Sequence, residues 1–127
     1  MKTFQCISII SGVYCYMTNA SLMIDNERVI VGSLNGFIIV NIHKCEIENK
    51  IINKEQFMHV TSFIKLRDNI TILCACDKGK FCFYNKETRD FFITNNNHYN
   101  SILGLLSIDN STFASYSLDG TIKIWKY

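Results

Sequence analysis

The sequence has no proline, only six glycines and a single tryptophan in 127 residues. Ile, Asn, Lys, Tyr and Phe are plentiful, a bias that points to an AT-rich genome rather than to a physical demand. No segment reaches the roughly 18–20 apolar residues that would span a bilayer. No stretch sustains a 3.6-residue apolar period, which argues against helices. Basic runs are absent; His43-Lys44 is a lone pair that reads as solvated. A net charge of +2 with interspersed signs gives no argument for nucleic acid or an anionic surface. Gly-rich phosphate loops, paired-carboxylate motifs and a G-x-S-x-G elbow are also missing. The sequence therefore supplies no catalytic constellation and implies no cofactor.

A hydrophobic fraction of 48% with 19% charge describes a globular chain long enough for a real core. Cys74, Cys76 and Cys82 fall in strand-like runs, where a free cysteine behaves as a small buried hydrophobe. Cys6, Cys15 and Cys45 complete the six. The only close spacing is C-x-C with no second pair, which is not a zinc pattern, so no metal site is expected. Reduced thiols fit a cytoplasmic or nuclear location. The stretch from Phe4 to Met17, ending Thr18-Asn19-Ala20, imitates a secretory signal. Gln5, Ser8, Ser11 and Gly12 interrupt it, so secretion is disfavoured.

Three Asp-Asn pairs, Asp25-Asn26, Asp68-Asn69 and Asp109-Asn110, are each followed ten residues after the Asn by a glycine. Those glycines, Gly36, Gly79 and Gly120, lie 43 and 41 residues apart. A period of about 40–45 residues built from short strands points to propeller blades. The last copy is the clearest: strands over 102–108, 112–117 and 121–127, joined by turns at Asp109-Asn110 and Leu118-Asp119-Gly120. The same plan predicts strands over 22–24, 28–33, 37–42 and 45–52, then over 61–66, 71–76, 80–84 and 90–94. Runs such as Phe37-Ile38-Ile39-Val40 do not alternate, so both of their faces must be covered. Stacked blades provide that environment; a simple sandwich would show more polar outward positions.

Ser117-Leu118-Asp119-Gly120-Thr121-Ile122-Lys123-Ile124-Trp125 resembles the signature end of a WD40 repeat. Asn97-His98, eleven residues before Asp109, resembles that family's Gly-His element. The resemblance implies an all-β fold of WD40-type blades, about three of them, each four-stranded and antiparallel. It implies a hydrogen-bonded set joining His98, a strand hydroxyl (Ser115 or Ser117), Asp119 and the Trp125 indole. The other copies depart from the pattern. Asn35 and Lys78 stand at the Asp position, Asn41 and Tyr84 at the Trp position, and the His element survives only as His59, its place in the first copy falling near Tyr14.

Blade boundaries are expected at 13–54, 55–97 and 98–127, the last without a fourth strand. Residues 1–12 form a strand-like segment, a candidate ring-closing strand. Propellers close with about 4–8 blades, so three belong to a larger ring, to a two-fold oligomer, or to a ring completed by another chain. The implied function is a non-catalytic scaffold that docks protein partners. In the family the loops bearing the His and Asp elements line the docking face, which here implies Tyr99, Asn100, Asp77 and Leu118. Two alternatives stay open: a regulatory or substrate-receptor module of a larger enzyme complex, as in ubiquitin ligation or kinase signalling, and a secreted binding module. No nucleic-acid or membrane partner is expected.

Overall fold

The computed structural model describes residues 2–13, 20–52, 59–95 and 97–127. Cys15, Tyr14 and the signal-like end at Thr18-Asn19 lie outside the described residues. Every described element is a β-strand. The first sheet holds β1 (Ser21–Met23), β2 (Arg28–Ser33), β3 (Gly36–Asn41) and β4 (Glu46–Ile52) in that order. The second holds β5 (Val60–Lys65), β6 (Thr71–Cys76), β7 (Phe81–Asn85) and β8 (Phe91–Ile93). The third has β9 (Ile102–Asp109), β10 (Thr112–Ser117) and β11 (Ile122–Lys126), with β10 in the middle. All pairings are antiparallel. These are three propeller blades, blade 1 to blade 3.

The Asp-Asn repeat has a physical cause. Each Asp folds its carboxylate back onto the amides of its own turn. Asp25 Oδ1 accepts from Glu27 N (2.9 Å) and Arg28 N (2.8 Å). Asp68 Oδ1 accepts from Ile70 N (2.9 Å) and Thr71 N (2.8 Å), and Asp109 Oδ1 from Ser111 N (2.8 Å). A short acceptor that closes a turn on itself is what these side chains offer. At Asp25 and Asp68 partial burial opposes ionisation, but the turn amides, with the Arg28 guanidinium at Asp25 and the Thr71 hydroxyl at Asp68, hydrogen-bond the ionised carboxyl and outweigh it, so both lie below the ordinary range. Asn41 and Asn85 do the same job at the β3–β4 and β7–β8 turns. Asn41 Oδ1 takes His43 N and Lys44 N, and Asn85 Oδ1 takes Glu87 N and Thr88 N.

Blade 2 is covered on both faces, which explains its unbroken apolar strands. Ile72, Cys74, Cys82 and Tyr84 face blade 1 and meet Ile30, Phe37 and Ile39. Leu73, Ala75, Phe81 and Phe83 face blade 3 and meet Ile102, Phe113 and Trp125. Aromatic edges set the spacing: Phe37 stands T-shaped on Tyr84 with centroids 5.1 Å apart, and Phe81 on Trp125 at 5.3 Å. The first strands of neighbouring blades pack together, β5 against both β1 and β9. Thr61 Oγ1 donates to Ile102 O (2.6 Å) and Leu105 N donates to Ser62 Oγ (3.2 Å), so polar atoms at this seam are paired across blades.

Cys74, Cys76 and Cys82 are free thiols buried among these side chains, and burial pushes the Cys74 and Cys76 thiols well above the usual range. Cys6 and Cys45 are exposed.

The segment 1–12 departs from expectation: its described residues, 2–12, form no strand. A strand needs a sheet edge to pair with, whereas this segment runs beside blade 1. The Ser8 hydroxyl donates to the Cys45 sulfur at 2.8 Å, and a side chain at Gly12 would lie 3.6 Å from Ile47 Cδ1. Gly12 and Ile38 line one shallow hollow on the face of blade 1 that points away from blade 2. Blade 3 has three strands among the described residues, and the outer edge of β11 is unpaired.

Candidate functional site

The loops before β9, between β6 and β7 and between β10 and β11 meet at one end of blades 2 and 3. His98 N donates to Gly79 O (3.0 Å), Leu118 N donates to Ser101 O (3.0 Å), and the Ser101 hydroxyl donates to Asp77 O. Gly79 makes the first of these contacts feasible. Its φ is 71°, and a Cβ there would sit 2.1 Å from the His98 carbonyl oxygen.

Beneath these loops lies a chain of polar side chains. His98 Nδ1 is 2.8 Å from Asp119 Oδ2, and His98 Nε2 is 2.6 Å from Ser115 Oγ. The Trp125 indole N–H donates to the same Ser115 oxygen at 2.8 Å. One proton arrangement satisfies every atom: Nδ1–H donates to Asp119, and Nε2 accepts from Ser115 O–H. The two hydroxyls left open by sequence are thereby distinguished. Ser115 occupies the chain, while the Ser117 hydroxyl donates to Ser101 O (2.8 Å) and accepts from Asp119 N (3.1 Å).

Thr121 was missed, although it follows Asp119-Gly120 in the motif. Its hydroxyl donates to Asp119 Oδ1 (2.6 Å) and lies 3.2 Å from His98 Nδ1. Hydrogen bonds from Thr121 and His98, with the Tyr99 and Thr121 amides, hold the Asp119 carboxyl well below the usual carboxylate range against the opposing effect of desolvation.

Asp119, His98 and Ser115 stand in the order of a nucleophilic triad. Ser115 is 0% exposed and His98 3%, and the serine oxygen already accepts the indole proton. A substrate carbonyl therefore has no path to that oxygen, and the geometry serves packing rather than attack. Among the described residues, no group of three or more His, Cys, Asp or Glu side chains could hold a metal ion.

The four residues expected to face partners sit on these same loops. Tyr99 is 93% exposed and Leu118 60%. Asn100 is exposed, its Oδ1 accepting from Ser101 N at 2.7 Å. Lys123 donates to Asn97 O (2.7 Å) with its ammonium 5.8 Å from the Tyr99 ring centre. Asp77 is half-buried, and its Oδ1 meets no hydrogen-bond donor among the described residues. Desolvation raises its pKa, with His59 partly offsetting the effect.

Two four-stranded antiparallel sheets and one three-stranded sheet, stacked with this loop arrangement, define part of a β-propeller. The particular type follows from likeness to solved structures. The chain is similar to the β-propeller domain of Myceliophteria thermophila Cps50 (Swd1), with TM-score 0.67 and 14% identity over 94% of this chain and 36% of that one. It is also similar to the WD40 repeats of RRP9, with TM-score 0.72 and 12% identity over 84% of this chain and 34% of that one. At such identities the likeness is one of fold: the chain has the WD40-type propeller fold and spans about a third of the length of these structures. No protein-family model matches the sequence, and no curated protein matches it. No helix among the described residues is long and apolar enough to cross a membrane.

Proposed function

We propose that the chain is a non-catalytic scaffold that docks a protein partner on the loops carrying Asp77, Tyr99, Asn100 and Leu118. One observation carries this reading. A large aromatic and a leucine stand in solvent on loops pinned from below by buried hydrogen bonds, so little ordering entropy opposes their use as anchors.

The test is affinity capture with quantitative mass spectrometry, comparing the chain with a Tyr99→Ala/Leu118→Ala double variant. Both side chains are exposed, so the melting temperature should stay within a few degrees. Recovery of the specific partner should fall about tenfold or more, as for loss of anchor residues. Unchanged recovery of every partner would remove this face from the function.

A further inference from the structure

The two ends of the blade stack are treated differently. On blade 1, the face away from blade 2 carries Val31, Ile38, Val40 and Ile52 by strand register. Ile38 and Val40 are buried, and the chain's own segment runs past that face at Gly12. On blade 3, the equivalent face is bare. Register places Leu106, Ala114 and Ile124 in one row and Gly104, Tyr116 and Ile122 in the next. Ile122 is 73% exposed, Ile124 62% and Leu106 61%. A side chain at Gly104 would collide with the Tyr116 ring, so the missing Cβ lets that ring lie across β9 and flattens the face.

We propose that a second copy of these 127 residues covers this face, blade 3 packing against blade 3 about a two-fold axis. The proposal goes beyond the loop-face reading above and uses a different surface. The face suits itself. It is apolar with two charges, Lys126 and Asp109, both in the Thr112 row at its margin, so self-pairing buries no opposed like charges at its centre. Three strands about 4.8 Å apart and roughly 20 Å long present on the order of 500 Å² per copy once side chains are counted. The pair then buries about 1,000 Å², in the range of weak, transient interfaces, which fits a micromolar dimer. The partly covered face of blade 1 also matters. An open filament needs two different complementary faces, whereas a chain with one bare face closes as a dimer.

Sedimentation equilibrium on the 127-residue chain between about 5 and 200 μM tests this. The expected result is a reversible shift from 14.7 kDa to twice that mass. Ile122→Asp/Ile124→Asp, which sets like charges against each other across the axis, should weaken the dimer at least about thirtyfold. Leu106→Glu is a second, independent variant on β9 and should act in the same direction. Phe4→Asp/Ile7→Asp, in the N-terminal segment, should leave the dimer intact, and the Tyr99→Ala/Leu118→Ala variant should dimerise normally even where it loses its other partner. A monomer at the highest concentration overturns the proposal. So does a dimer that survives the β11 and β9 variants, a dimer lost with Phe4 and Ile7 (the N-terminal segment pairing on β11), or mass that grows without limit.

Discussion

Gly79→Ala should be among the most damaging single-methyl changes in the chain, lowering stability by about 4 kcal/mol or more. Two costs combine. An L-residue held at positive φ loses about 1–2 kcal/mol. The new Cβ would also lie 2.1 Å from the His98 carbonyl oxygen and 2.9 Å from that of Asn100, both backbone atoms that cannot rotate away. Relief requires moving the 97–100 loop off blade 2, which breaks the His98 N to Gly79 O hydrogen bond and drags the imidazole from its partners. Gly120→Ala provides the control. Gly120 stands at the matching turn of blade 3 with φ 83°, but nothing lies within 4 Å of its added Cβ. That variant should lose only the conformational cost, about 1 kcal/mol. Urea melts of the two variants check the comparison; equal losses would mean that the inter-blade contact at Gly79 is not made.

His98→Ala should cost about 3 kcal/mol and lower the melting temperature by roughly 10 °C. The imidazole is the middle link of a buried chain, so its removal takes away the acceptor of the Ser115 hydroxyl on one side and a donor to Asp119 on the other, and leaves a cavity between them. Ser115→Ala should follow at about 2 kcal/mol, because it unpairs both His98 Nε2 and the Trp125 indole. Since both residues act through one network, the double variant should lose much less than the sum. Thermal melts of the four proteins measure this directly. Additive losses would show that the hydrogen bonds do not work as a unit.

Much of this architecture was legible because local chemistry and global fold agree. The Asp-Asn pairs mark turns whose carboxylates close on their own amides, and that local bond keeps the period visible without any reference to the rest of the chain. Strands such as Thr71–Cys76 announced burial on both faces by lacking alternation. The His98–Ser115–Asp119–Trp125 set could be named from its motif. The choice between Ser115 and Ser117 could not, because both point to the same face and only the position of the 97–101 loop separates them. Thr121 escaped notice because a threonine after a turn reads equally well as a strand former. The 1–12 segment was misjudged for a different reason. Its residues favour strand, but a strand exists only where an edge is offered, and that is a property of the whole assembly.

The central claim is three stacked blades, the third open along β11. Backbone bonds fix which amides that opening frees. Tyr127 N donates to Ser111 O and Ser117 N to Thr121 O, so in β11 the amides of Lys123 and Trp125 point to β10. Those of Ile122, Ile124 and Lys126 point outward. Residue-resolved hydrogen exchange on dilute protein reads this alternation. The account predicts slow exchange at Lys123, Trp125 and Tyr127, fast exchange at Ile122, Ile124 and Lys126, and slow exchange throughout β6. Protection of Ile122, Ile124 and Lys126 together would mean that a fourth strand completes the blade, and would contradict it.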